Sequence, residues 1–220
     1  FSARPSKTCR PNHSPTCCSH QPQMPTAPPT IYSAECRRLS PHVREEAMQI
    51  LVERFSATNK TRENAQIIRR IFGAAHGMQH CYHSRQEIPV SGVIISSYRC
   101  AVAIGKDQTA VGAACYRHVA PRRQADDKRF TEVLLLAVRS DQERQRIGTF
   151  LVEYLKDEAR RAGSRCILII SNGHAFWQRP ELQLQQELSS AEAEQHALFI
   201  PWNTGVHVRR GELHDAPAAS

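Results

Sequence analysis

The 220-residue sequence contains no apolar run long enough to cross a bilayer. Its longest such runs, residues 133–138 and 166–170, have strand length, whereas a spanning helix needs about 20 apolar residues. No apolar segment lies near the N-terminus, so no secretory leader is expected. The eight cysteines lack the spacing of a secreted disulfide framework, and Cys115 and Cys166 fall inside expected buried strands. Free thiols in a reducing compartment are the expectation. Acidic groups are scarce in the first 40 residues, where Arg4, Lys7, Arg10, Arg37 and Arg38 stand against Glu35 alone. Half of the net charge of +8 therefore sits there. Such a segment is more often a solvated linker than a nucleic-acid arm. Neither a membrane nor a specific nucleic-acid contact is expected.

The same N-terminal stretch has no periodic apolar face and holds more than half of the 13 prolines. It is expected to be disordered or a linker. Cys9, His13, Cys17, Cys18 and His20 cluster within it, but they include no C-x2-C pair, and the adjacent Cys17 and Cys18 suit one tetrahedral ion poorly. His76, His80 and His83 show no consistent ligand face. No metal is expected. The organisation that follows is a disordered or linker tail over 1–39, one domain over 40–210 and a second tail over 211–220.

Within the domain, Ser40-Pro41 reads as a helix start, followed by Val43, Ala47, Ile50, Leu51 and Phe55 at helical spacing. A second helix over about 61–75 carries Ile67, Ile68, Ile71 and Phe72 as its stripe. Strands follow over 99–104, 109–119 and 130–138, the first two joined by the turn Gly105-Lys106-Asp107-Gln108. A helix places Ile147, Phe150, Leu151, Tyr154, Leu155, Ala159 and Ala162 on one face and stops at Gly163. The continuous apolar run 166–170 reads as a strand covered on both faces. Residues 197–201 and 205–209 are candidates for a closing hairpin. Together these give an α/β (α+β) fold, a mixed, mostly antiparallel sheet flanked by helices.

The chemistry concentrates in a strand, a polar loop and a helix start between Phe130 and Gly163. Unpaired amides and a partial positive charge at a helix N-terminus suit a pyrophosphate, and Gly148 leaves room for one to approach the backbone. One glycine at such a junction is by itself a weak signal. The whole segment is more specific. The strand FTEVLLLAV over 130–138, the loop SDQERQRIGT over 140–149 and the upstream strand VGAACYR over 111–117 resemble PCAF-type histone acetyltransferases of the GNAT superfamily. The resemblance runs from about residue 66 to about residue 182.

That resemblance implies a GNAT fold and direct acetyl transfer from acetyl-CoA to the lysine of a protein such as a histone tail. The site would be nuclear by resemblance, or else cytoplasmic. Leu136, Ala137 and Val138 would present backbone groups to the pantetheine arm. Gln142, Glu143, Arg144, Gln145, Arg146, Ile147 and Gly148 would wrap the pyrophosphate, with Thr149 opening the helix. His174, Ala175 and Trp177 would lie beside the cofactor, Trp177 and Phe176 being packing residues first. Glu132 occupies the position of the family's general base. Read without the resemblance, it is an exposed strand-start carboxylate. A small-amine or N-terminal acetyltransferase and a non-catalytic GNAT module remain alternatives.

Two positions depart from the family pattern. Arg146 stands where a glycine is usual, and a side chain there is strained if the backbone needs positive φ. Glu143 stands where Gln or Arg is usual, and its carboxylate would repel a pyrophosphate unless it points elsewhere.

Overall fold

The structure is a computed structural model that describes residues 28–56, 61–72, 98–119, 129–171, 175–184, 186–189, 192 and 207–213. The Cys9–His20 cluster, the three histidines 76, 80 and 83, residues 197–201 and His174 lie outside these described residues.

Among the described residues, seven strands form one sheet in the order β1-β2-β3-β4-β5-β7-β6. They are β1 Thr30–Glu35, β2 Arg99–Ile104, β3 Ala110–Val119, β4 Phe130–Val138, β5 Cys166–Ser171, β6 Gln186–Leu188 and β7 His207–Glu212. Only β4 and β5 run parallel; every other neighbouring pair is antiparallel. Helices α1 (Pro41–Ser56) and α2 (Thr61–Ile71) cover one face, and α3 (Ile147–Arg161) covers the other.

Each helix has a local cause. Pro41 takes the first helical position, where its missing N–H costs nothing, and the Arg44 N–H bonds Ser40 O at 2.9 Å. The Asn64 side chain donates to Phe55 O at 2.9 Å, tying the end of α1 to α2. α3 ends in a left-handed glycine: Gly163 has φ +70°, its N–H bonds Arg160 O, and the Ser164 N–H bonds Ala159 O. This pair of bonds satisfies the last carbonyls of the helix.

Two expected boundaries are corrected. Residues 30–35, assigned to the disordered tail, form β1 and pair with β2 from Thr30↔Ile104 to Glu35↔Arg99. The edge strand survives its proline-rich approach because Pro28 and Pro29 precede the ladder rather than interrupt it. At the other end β7 runs through Glu212, and Leu213 is buried, so the domain continues past residue 210. β7 pairs with β5 on one side and with β6 at 186–188 on the other.

β4 carries a bulge. Cys115 pairs with Leu135 while Tyr116 pairs with Val133, so Leu134 has no partner on β3. Before the bulge the even-numbered side chains, Glu132 and Leu134, face α1 and α2; after it the odd-numbered Leu135 and Ala137 do. Val133 lies on the α3 side, as do Leu136 and Val138 beyond the bulge. Bulges re-aim side chains in this way and recur beside active sites.

Candidate active site

β4 and β5 stay paired from Phe130↔Cys166 to Val133↔Ile169 and then separate. β4 continues for five more residues and β5 for two, the latter held by β7. Leu136, Ala137 and Val138 are paired with Ala114, Ala113 and Gly112 on the β3 side only. Their other edge has no strand partner among the described residues. Such an edge can accept a further extended group by backbone hydrogen bonding.

The gap opens beside the start of α3. A short 3-10 turn, Ser140–Gln142, uses the Gln142 and Glu143 N–H groups on Arg139 O (2.9 Å) and Ser140 O (3.5 Å). Those two amides are therefore occupied. The amides of Ile147, Gly148 and Thr149 form the first turn of α3 and have no acceptor within the helix, and Arg146 caps none of them with its side chain. These three are anion donors within the expected 142–149 loop. Ile147 points its side chain into the core and Thr149 is buried, so both offer backbone rather than side chain. Gly148 has a second constraint: a Cβ there would meet the Phe176 ring at 3.0 Å.

Both departures from the family pattern have a local explanation. Arg146 adopts φ 61°, ψ 9°, the left-handed conformation a glycine would take without strain, and Arg144 has φ 68°. The Arg146 guanidinium lies 5.8 Å from the centroid of the Phe150 ring. This is a cation–π distance. Glu143 pairs with Arg54 of α1 at 3.1 Å, which compensates its charge. Ala175 opens a 3-10 turn with Phe176 and Trp177. Trp177 is buried in the α3-side core, whereas Phe176 reaches Gly148, so Phe176 rather than Trp177 is the aromatic beside the helix start.

Glu132 is fully buried, 0% exposed, on the α1/α2 face two residues before the bulge. It is not the exposed strand-start carboxylate of the bare-sequence reading. Its Oε2 accepts a hydrogen bond from the Tyr98 hydroxyl at 3.2 Å and an ion-paired one from Arg117 Nε. Arg117 is its cross-strand partner on β3 and is 4% exposed. The Arg117 guanidinium also lies 5.4 Å from the centre of the Tyr98 ring. Burial first, and then the Glu132 charge, push the Tyr98 phenol far above its ordinary range. Sequence reasoning missed Arg117 and Tyr98. The available signal was an arginine inside an otherwise apolar strand, since a buried guanidinium demands a partner.

Among the described residues no group of three or more His, Cys, Asp or Glu is arranged to hold a metal ion.

A parallel pair that splays apart, a bulge at the splay and a helix start with no side-chain cap opposite it form a cleft suited to an extended, anionic ligand. The family model for the GNAT acetyltransferases matches residues 63–179, and the chain belongs to that family. Its activity is accordingly acetyl-CoA-dependent acetyl transfer. No curated sequence matches the chain significantly. Among solved structures, the catalytic domain of Tetrahymena GCN5 histone acetyltransferase in complex with coenzyme A superimposes with a TM-score of 0.52 at 16% identity, covering 86% of this chain and 96% of that one. A Corynebacterium glutamicum protein described as histone acetyltransferase HPA2 and related acetyltransferase gives 0.51 at 16% identity, covering 88% and 100%. At such identities the likeness concerns the fold.

Proposed function

We propose that the chain acetylates the lysine side chain of a protein, a histone tail being one candidate, by direct transfer with Glu132 as general base. The observation that carries this reading is the position of Glu132: a wholly buried carboxylate on β4, just before the bulge where β4 leaves β5.

The residues present fit acetyl-CoA. The unpaired edge of Leu136, Ala137 and Val138 would hold the pantetheine arm and offer an N–H to the thioester carbonyl. The amides of Ile147, Gly148 and Thr149 would hold the pyrophosphate. The cofactor supplies the activated acetyl group; proton handling is left to the protein. At pH 7 only about one lysine in a few thousand is the nucleophilic free amine. Glu132, directly or through a water, would take the proton as the amine attacks, help typically worth about 10² to 10⁴ in rate. No covalent intermediate on the enzyme is required, so the buried free thiols Cys36, Cys100, Cys115 and Cys166 have no step to perform.

The second reading, a non-catalytic GNAT module, is favoured by one observation: Arg117 already pairs with Glu132. The two readings separate in one set of measurements. Acetyl-CoA is titrated into the protein in a calorimeter, and a basic peptide library is assayed beside polyamines and aminoglycosides. Transfer to lysine peptides, with Glu132→Gln binding acetyl-CoA normally but losing about 10² or more in turnover, supports the proposal. Transfer confined to the small amines moves the acceptor class. Absence of acetyl-CoA binding favours the module.

A further inference from the structure

Arg117 is a costly residue to bury. A guanidinium taken out of water gives up hydration that a single ion pair barely recovers, and an apolar residue would fit the rest of the strand. Its partner is the carboxylate singled out above. The register of β3 on β4 places Arg117 directly opposite Glu132, and the bulge immediately beyond fixes that register. Two independent donors, the Tyr98 hydroxyl and Arg117 Nε, converge on the same atom, Oε2. Convergence on one oxygen fixes the orientation of the whole carboxylate, because rotation about its last bond would break both bonds together.

We propose that Arg117, supported by Tyr98, is a positioning residue of the transfer site, holding the Glu132 carboxylate charged and oriented for proton removal from the acceptor amine. This rests on the base assignment of Glu132. The groups that face or surround this carboxylate come from several elements. Tyr98 immediately precedes β2, and Arg117 comes from β3. Leu168 of β5 and Arg210 of β7 share its row on the sheet face, through the pairings Glu132↔Leu168 and Leu168↔Arg210. Arg210 has its own partner, Glu212, at 2.7 Å. Arg117 is thus a cation in direct contact with Glu132, and Arg210 stands two strands away.

The device has a cost that also predicts something. A cation at Oε2 stabilises the carboxylate relative to the carboxylic acid, so Glu132 remains a competent acceptor to lower pH than burial alone would permit. Weakening Arg117 therefore leaves the base protonated over more of the pH range, and the acidic limb of the kcat profile moves to higher pH.

The test compares wild type with Arg117→Lys, Tyr98→Phe and Glu132→Gln, using acetyl-CoA with a lysine-containing peptide and, in parallel, spermidine. Circular dichroism melts and acetyl-CoA titrations establish folding and cofactor affinity. For Arg117→Lys the expectation is unchanged acetyl-CoA affinity, kcat lower by about tenfold or more, and an acidic limb displaced to higher pH. Tyr98→Phe should displace the limb in the same direction by less. Wild-type kcat and pH profile in a folded Arg117→Lys would overturn the proposal and leave Arg117 a purely structural ion-pair partner. Should Arg117→Lys fail to fold, Tyr98→Phe decides: an unshifted limb overturns the proposal. Full activity in Glu132→Gln overturns the base assignment itself, and with it this inference. Loss of activity in Glu132→Gln with an unshifted Arg117→Lys overturns only the positioning role.

Discussion

Arg54 Nη1 on α1 lies 3.1 Å from Oε1 of Glu143, in the loop that leads from β4 to α3. The pair links a helix on one face of the sheet to the loop that starts the helix on the other. Both side chains are about half exposed, so it stabilises the fold by no more than about 1 kcal/mol. Its consequence is electrostatic. Arg54→Ala should melt as wild type does, yet bind acetyl-CoA about two- to fivefold more weakly at low ionic strength, a loss within the same ~1 kcal/mol. Raising the salt should erase the difference. Calorimetry at two salt concentrations checks this; a loss that persists in high salt would point to a direct contact instead.

Arg146 holds a left-handed backbone at φ 61°. For a side chain with a Cβ that conformation costs roughly 1 kcal/mol or more, which glycine avoids at some expense in unfolded-state entropy. Arg146→Gly is therefore expected to raise Tm by a few degrees at most, on the scale of about 2–4 °C per kcal/mol for a domain of this size. Because the guanidinium sits over Phe150, acetyl-CoA affinity should stay within about threefold, well under 1 kcal/mol. A tenfold weaker Kd would show instead that the arginine contacts phosphate.

Gly148→Ala brings two opposing effects. Alanine favours the helix by about 1 kcal/mol, while its Cβ, 3.0 Å from Phe176 Cζ and 3.3 Å from Cε2, pushes a half-buried ring. Thermal stability should then change by less than about 1 kcal/mol, whereas acetyl-CoA affinity falls because the methyl group stands where the phosphate approaches the backbone. Combining it with Phe176→Leu should recover stability but not affinity.

Tyr116 is buried and donates to Glu158 Oε2 at 3.0 Å while accepting from Arg99 Nε at 3.2 Å. Burial raises its phenol from 10.0 to about 12. A group whose folded pKa is raised contributes stability that is complete below its unfolded value and is lost as pH climbs through the folded one. Stability should accordingly decline between pH 10 and about pH 12, and phenolate absorbance from this residue in the folded protein should appear only as the pH nears 12. Tyr116→Phe should flatten that decline.

Much of the fold was legible because its patterns were local. The apolar stripe from Ile147 to Ala159 and the unbroken run at 166–170 each announce their own element, and the structure places both within a residue or two of expectation. β1 was not legible. TIYSAE alternates too briefly, beside too many prolines, to be told from a linker, and it becomes a strand only because β2 offers it an edge. Of the site, the segment from Glu132 to Thr149 could be named because it is contiguous. Arg117 and Tyr98 could not, since they reach Glu132 across strands and 15 or 34 residues of chain. Their meeting depends on a register that no single strand encodes.

The bulge at Leu134 acts on β4 as an inserted letter acts on a reading frame. Upstream of it even-numbered residues face α1 and α2; downstream the odd-numbered ones do. Forcing all nine residues of β4 into regular alternation, with no bulge, would turn one half of the strand over relative to the other, so that Glu132 could keep its face only if residues 136–138 gave up theirs. The proposed proton acceptor and the backbone edge that would hold the acyl donor are thus kept in phase by an amino acid that pairs with nothing on β3.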